Sequence, residues 1–259
     1  MDRKAEDIKP LISIIIPNYN DDRIKRNIKS ILDQDFDDYE LIVIEGCVKN
    51  DKTSSIYKEY NQHISKLIHE SDNGIFDALN KGIKASTGEF ILLIGSDDKL
   101  NNTQIFSAIK NEYELNKNVN GFSIECHFIN SKDKVIRKWI PGNISKNKIK
   151  WGILPPHFSL FLRKNVYDEL GLFNLSEGNI GLDSKWLLRL SCLDEIRIPI
   201  IYNHAVLMQV GGTSTGSLKN ILIAYKNIAK EARRMGLWNW PLIPFIKIVS
   251  KLPQFKIYL

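Results

Sequence analysis

Cysteine is scarce in this chain: Cys47, Cys126 and Cys192 are the only three, an odd number, widely spaced and without a CxxC pair. That argues against a disulfide framework or a paired-cysteine zinc site, and agrees with a reducing cytoplasm. Long apolar runs are missing too. No segment reaches the roughly 20 apolar residues of a membrane-spanning helix, because lysines interrupt each apolar stretch of the tail. Met1 to Pro10 mixes acids and bases ahead of the short run Leu11 to Ile16, so no signal peptide is expected and the chain should stay in the cytoplasm. The first apolar run ends in Pro17-Asn18-Tyr19-Asn20 with no GxGxxG turn, which argues against a dinucleotide-dependent dehydrogenase. Internal repeats are also lacking.

What is present suffices for a sizeable core. In 259 residues, 43% hydrophobic and 25% charged, one globular domain with appendages is expected. A formal charge of +6 favours anionic partners, whether nucleotide phosphates, acidic lipid or nucleic acid. Nucleic acid is the weakest of these, since neither an aromatic-rich RNA signature nor zinc-finger spacing accompanies the charge.

The first hundred residues alternate short β-branched runs, Leu11 to Ile16, Leu41 to Ile44, Lys66 to Ile68 and Phe90 to Ile94, with helix-periodic segments. Such runs predict buried parallel strands. Ile24, Ile28, Ile31 and Leu32 share one helical face and Ile75, Leu79 and Ile83 another, which predicts crossover helices and a βαβ architecture. Ligands of open α/β sheets bind beyond the carboxyl ends of the strands, and those ends are polar here: Pro17 to Asn20, Glu45-Gly46, Glu70 to Gly74 and Gly95 to Asp98. In the second half, Gly121 to Asn130 and Val135 to Ile140 predict antiparallel strands. Gly142 to Lys150 predicts a polar, acceptor-facing loop, and helices are expected over Lys164 to Leu170, around Asp183 to Leu193, and from Ser217 onward.

Asp97 and Asp98 follow an apolar strand, where oxygen ligands suited to Mg²⁺ or Mn²⁺ would meet a bound diphosphate. An isolated Asp pair is more often a helix cap. The pair's context resembles family-2 glycosyltransferases of the bacterial polysaccharide type, from about Leu11 to Ser214. Pro17-x-Tyr19-Asn20 resembles the first nucleotide-contacting motif, and Glu40 to Gly46 the second strand, whose terminal carboxylate contacts the base. Asp72-Asn73-Gly74-Ile75-Phe76-Asp77-Ala78-Leu79-Asn80-Lys81-Gly82-Ile83, then Ala85-x-x-Gly88-Glu89-Phe90, is the most specific stretch. His157-Phe158-Ser159, the run from Gly178 through Asp183 and Arg189, and Gly211-Gly212-Thr213-Ser214 resemble the acceptor half and closing loop. Two departures stand out: Glu45 replaces the usual Asp, and Gly95 occupies the first acidic position of the DxD signature.

The resemblance implies an α/β fold of GT-A type, Rossmann-like, with a mixed central sheet and helices on both faces. It implies residues 1–215 as one catalytic domain, with a nucleotide-sugar half over 11–98 and an acceptor half over 99–215, and a tail over 216–259. It implies an inverting glycosyltransferase of surface polysaccharide assembly, such as O-antigen or capsule, moving a sugar from a nucleotide diphosphate to a saccharide or lipid-linked acceptor. Asp183 would be the catalytic base, although its position before an apolar helical face also suits a cap. Pro17, Tyr19, Asn20, Glu45, Asp72, Asn73, Asn80, Lys81, Ser96 and Asp97 would contact the donor. Asp97 and Asp98 would hold Mg²⁺ or Mn²⁺, and His157, Arg189, Gly211 and Gly212 would serve acceptor or support. The altered Glu45 and Gly95 motivate a rival, a non-catalytic nucleotide-binding relative. In the tail, Trp238, Trp240, Phe245, Phe255 and Tyr258 alternate with Lys247, Lys251 and Lys256, a composition that suits either the anionic inner face of the cell membrane or packing on the core or on a second subunit.

Overall fold

The structure, a computed structural model, describes residues 9–49, 52–210 and 218–255. Its first half runs β1 (Ile12–Asn18), α1 (Ile24–Leu32), β2 (Tyr39–Glu45), α2 (Ser54–Glu59), β3 (Lys66–His69), α3 (Ile75–Ala85), β4 (Phe90–Leu93), β5 (Lys99–Leu100) and α4 (Ile105–Leu115). The second half runs β6 (Gly121–Ile129), β7 (Val135–Trp139), α5 (Lys146–Lys150), β8 (Leu160–Arg163), α6 (Lys164–Leu170), α7 (Leu182–Arg189), β9 (Ile200–Gln209), α8 (Leu218–Arg234) and α9 (Ile243–Val249). One mixed sheet holds the strands in the order β3-β2-β1-β4-β8-β6-β9-β5, with β7 pairing β6 beside that path. The pairs β3-β2, β2-β1 and β1-β4 are parallel, and the sheet turns antiparallel at β4-β8.

Alternation along the central strands divides the apolar residues between two faces. Ile12, Ile14 and Ile16 of β1, with Leu41 and Val43 of β2, pack under α1 and α4 through Ile24, Ile28, Ile31, Ile105 and Ile109. On the opposite face Ile15, Ile42 and Ile44 meet Phe76, Leu79 and Ile83 of α3, and the same core continues through Trp186 and Leu187 of α7 to Ile228 of α8 and Ile243. Both faces are thus covered by helices, as a parallel sheet requires. At Gly82 the α3 backbone comes so close to β1 that a Cβ there would lie 2.2 Å from Ile15 Cγ2. This contact seats α3 and so fixes the Asp72–Gly74 loop that precedes it.

Two expectations change. The segment expected to be a polar loop contains α5, capped by the Ser145 side chain on Lys148 N–H, and Ile149 is wholly buried. Lys146 Nζ donates to Leu193 O at 2.8 Å, so this segment packs on the chain that follows α7. The helix expected to run to Leu193 is α7 followed by a 3₁₀ turn over Leu190–Cys192. Among the described residues, no helix is long and apolar enough to cross a membrane.

Candidate active site

Four strand ends build one edge of the site. Gly46 N–H donates to Asn18 O at 2.9 Å, joining the exits of β1 and β2, and Asp72 packs so tightly on Gly46 that a Cβ there would lie 1.8 Å from Asp72 Oδ2. Pro17 is buried in β1, whereas the Tyr19 side chain is 68% exposed, an open aromatic face at the rim. Asn20 takes the left-handed conformation (φ 49°), which asparagine tolerates better than most residues, and its Oδ1 accepts from Lys52 N–H at 3.1 Å.

Glu45 is wholly buried, and its carboxylate accepts from Asn18 Nδ2 (2.9 Å), Asn20 N (3.0 Å), Cys47 N (2.9 Å), Thr53 Oγ1 (3.0 Å) and Tyr57 hydroxyl (2.7 Å). Burial alone would raise its pKa, but these hydrogen bonds outweigh burial and hold it below the usual glutamate range. A carboxylate with its lone pairs engaged in this way is not presented to a base. Glu45 instead ties the Asn18–Asn20 loop to Cys47 and to α2, a correction to the expected base contact. Thr53 and Tyr57, which complete this arrangement, are polar side chains that no motif marked.

The turn after β4 is gripped from α1. Asn27 Nδ2 donates to Gly95 O at 2.6 Å, Arg26 to Asp97 O at 3.2 Å, and Arg23 Nη1 lies 3.1 Å from Asp97 Oδ2. The Asp97 side chain is 33% exposed at the rim, beside the partly buried Ser96. Asp98 turns inward: its Oδ2 accepts from Gly95 N–H at 3.1 Å, and burial, with Asp97 alongside, pushes its pKa well above the usual range. The turn also explains Gly95, since a Cβ at that position would lie 2.8 Å from Asp98 Oδ2. Among the described residues, no three acidic, histidine or cysteine side chains converge as a metal cluster. Of the expected pair, Asp97 alone keeps a carboxylate exposed enough to meet a divalent cation, and Asp98 is withdrawn from the set.

Opposite this edge, Gly181 takes the left-handed conformation (φ 74°) and α8 presses against it, with Ala224 Cα 2.9 Å from where a Cβ would stand. α7 starts immediately afterwards, placing Asp183 half-buried in its first turn. Asn179 Nδ2 donates to Asn73 O at 2.6 Å, which brings the loop before Asp183 onto the loop after β3. The loop leading into Asp183 is thereby docked on the carboxyl edge of the parallel strands, across from the β4 exit that carries Asp97. His157 is 6% exposed beneath Asp183, among Phe158, Phe173 and Trp186, with neither ring nitrogen hydrogen-bonded. Burial lowers its pKa to about 4, opposed by the Asp183 charge, so the imidazole is neutral near pH 7.

With this geometry in place, similarity to known proteins decides the family. The family model described as "Glycosyl transferase family 2" matches residues 13–171, more than half of the chain. The chain belongs to glycosyltransferase family 2. A PGL/p-HBAD biosynthesis glycosyltransferase of Mycobacterium bovis is 24% identical over 225 residues, 83% of this chain and 81% of the relative. TuaG of Bacillus subtilis, named for teichuronic acid biosynthesis, is 35% identical over 96 residues, 35% of this chain and 37% of the relative. The crystal structure of residues 1–349 of Staphylococcus aureus TarS in complex with UDP-GlcNAc superposes with a TM-score of 0.64 at 17% identity, covering 85% of this chain and 66% of that one. The mannosyltransferase PcManGT of Pyrobaculum calidifontis, in complex with GDP-Man and Mn²⁺, gives 0.62 at 14% identity, covering 96% of this chain and 72% of that one. The fold is GT-A, a mixed α/β sheet with helices on both faces.

Several family positions of this glycosyltransferase serve the scaffold. Asn80 is buried and pairs with the Phe173 backbone in both directions, donating to its carbonyl at 2.9 Å and accepting from its N–H at 3.0 Å. Lys81 Nζ donates to Ser71 O at 2.7 Å and lies 3.1 Å from Glu70, which ties it to the β3–α3 loop. Asp72 Oδ1 accepts from Gly74 N–H at 2.8 Å, and Asn73 N–H donates to Asp77 at 3.0 Å, so both shape the same loop. Arg189 Nε donates to Glu231 of α8 at 3.0 Å and supports the packing of α7 on α8, not Asp183. Gly211 and Gly212 lie outside the described residues.

Proposed function

We propose that this chain is an inverting glycosyltransferase that moves a sugar from a nucleotide diphosphate to a hydroxyl of a saccharide or lipid-linked acceptor during surface polysaccharide assembly. The observation that carries it is the docking of the loop before Asp183 onto the loop after β3, at the carboxyl edge of the parallel strands, the edge whose β4 exit carries the partly exposed Asp97. Residues 11–98 form the donor half. There Tyr19 offers a face for the base, and the Glu45 network holds the Asn18–Asn20 loop that carries it. Asp97 would hold a Mg²⁺ or Mn²⁺, which when bound would supply positive charge to the departing diphosphate. Asp183 takes the proton of the acceptor hydroxyl as its oxygen attacks the anomeric carbon, the bond to the diphosphate oxygen breaks on the opposite side, and the configuration inverts. Neutral His157, buried under Asp183, gives that carboxylate an apolar floor.

Supporting this reading, the solved neighbours hold UDP-GlcNAc or GDP-Man with Mn²⁺, and the named relatives act in teichuronic acid and PGL/p-HBAD biosynthesis. Residues 1–215 are the catalytic domain in this proposal and 216–259 its appendage. Within the appendage Ile243 is wholly buried against the core, while Trp238 and Phe245 are 77% and 66% exposed. Those exposed aromatics suit the cytoplasmic face of a membrane.

The test is release of nucleoside diphosphate across UDP-, GDP- and dTDP-sugars with Mn²⁺, Mg²⁺ or EDTA, alongside calorimetric nucleotide binding. Metal-dependent release from one donor is expected, and ¹H NMR of the product should show the opposite anomer. Nucleotide binding without release in the presence of a panel of lipid-linked acceptors would favour the non-catalytic rival that Gly95 and Glu45 motivate. Absence of nucleotide binding would overturn both.

A further inference from the structure

The loop between β1 and α1 sets an arginine against Asp97. Arg23 stands at the start of α1, with 54% of its side chain exposed. Its Nε donates to the two oxygens of Asp21 at 2.9 and 3.0 Å, and Nη2 donates to Asp21 Oδ2. The Arg23 backbone N–H adds a bond to the same carboxylate at 3.0 Å. This two-pronged hold fixes the plane of the guanidinium. Its third nitrogen, Nη1, lies 3.1 Å from Asp97 Oδ2.

The scaffold has little need of that contact. The turn after β4 is already held through its backbone, by Asn27 on Gly95 O and Arg26 on Asp97 O, and half-exposed ion pairs add little to stability. The charges do have a use at this place. With Gly95 at the first acidic position and Asp98 buried, Asp97 is the exposed carboxylate of the turn, and a guanidinium sits directly against it. The β4 exit thus presents a negative and a positive group side by side, the complement of a cation bound to a diphosphate. A planar fork already held in one orientation suits phosphate oxygens and gives up little freedom on binding them. The loop that carries Arg23 also carries Tyr19, the exposed face offered to the base, so one short segment would meet both ends of a nucleotide.

We propose that Arg23 contacts the donor diphosphate: oriented by Asp21, its Nη1 donates to a phosphate oxygen, so that Asp97 and Arg23 divide between them the cation and the anion of the leaving group. This rests on the reading of Asp97 and the β1 exit as the donor site, and the test separates the two. Full-length chain is titrated calorimetrically with UDP, GDP and dTDP, in Mn²⁺ and in EDTA. Wild type should bind at least one of them. Arg23→Gln should weaken that binding on the order of tenfold in both conditions. Its Mn²⁺ affinity without nucleotide, followed by electron paramagnetic resonance, should rise, because Asp97 loses the guanidinium that competes for it. Opposite signs separate a lost contact from a disturbed fold, which would weaken both. Arg23→Lys should recover only part of the diphosphate binding, since an ammonium cannot keep the two-pronged hold on Asp21. Lys25→Gln removes an equal charge from α1, where Lys25 pairs with Glu59, and should leave the affinity within about twofold. Thermal melting of each variant checks the fold, and Arg23→Lys decides the question should Arg23→Gln prove unstable. Equal diphosphate binding by wild type and Arg23→Gln, a parallel fall in Mn²⁺ affinity, or an equal loss in Lys25→Gln would overturn the proposal alone. Failure of wild type to bind any of the three diphosphates would overturn the donor-site reading and the proposal with it.

Discussion

Acid should destabilise the wild-type chain more steeply than a His157→Leu variant. The imidazole sits with its centroid 5.4 Å from those of Phe158 and Phe173 and 6.0 Å from that of Trp186, and no hydrogen bond is available to an added proton. Burial lowers its pKa from 6.5 to about 4, Asp183 acting in the opposite direction. Between those values the unfolded chain binds a proton that the folded chain refuses, so stability present above pH 6.5 is lost as the pH falls toward 4. At 1.36 kcal/mol per pKa unit the loss amounts to about 3 kcal/mol, or roughly 6–12 °C of melting temperature for a chain of this size. Urea denaturation of both proteins at half-unit pH intervals measures it. Glu40 and Glu45, both held below the usual range, also weaken the fold in acid, but they do so in both proteins and cancel in the difference. The wild-type-minus-variant difference should change by about 3 kcal/mol across the window and level off below it. Parallel curves would refute the buried, unpartnered histidine.

Three further substitutions separate scaffold from site. Glu45→Gln replaces one acceptor oxygen by a donor facing Asn18, Asn20, Cys47, Thr53 and Tyr57, and should cost about 2–3 kcal/mol in urea denaturation while weakening nucleotide affinity through the Asn18–Asn20 loop. Asn80→Ala breaks the two bonds to the Phe173 backbone and should cost about 1–3 kcal/mol with nucleotide affinity unchanged by calorimetry. Gly95→Asp recreates the acidic first position of the DxD signature but forces a Cβ against Asp98, so thermal melting should fall by the equivalent of about 1–3 kcal/mol, with no gain in Mn²⁺ affinity.

How far the sequence anticipates this structure depends on the range of the interactions. The parallel half is legible because β-branched runs and helical faces are local patterns, and β1 to β4 appear within a residue or two of their expected ends. β9 is not, because Tyr202, Asn203 and His204 interrupt its apolar run and Asn203 takes φ 66°; it becomes a strand only by pairing with β6 and β5. α5 is hidden by its lysines, with Ile149 its single buried residue. At the site, Asp97 and Asp183 are marked by motif and position. The roles of Glu45, Asn80, Lys81 and Arg189 are set by partners distant in sequence, such as Phe173 for Asn80 and Glu231 for Arg189, which no local pattern reveals. Lys247 lies 63 residues from Ser184 and reaches it only because Ile243 anchors α9 on Gly152.

On the reading proposed above, Asp183 performs proton transfer in a site whose donor half is separate from it. Nucleoside diphosphate release should be measured for wild type and Asp183→Ala with the donor identified from the panel, together with the Kd of that donor. The account predicts a Kd unchanged within experimental error and a rate lower by about 10²–10⁴-fold, the usual contribution of a positioned general base. Release at the wild-type rate by Asp183→Ala would contradict it.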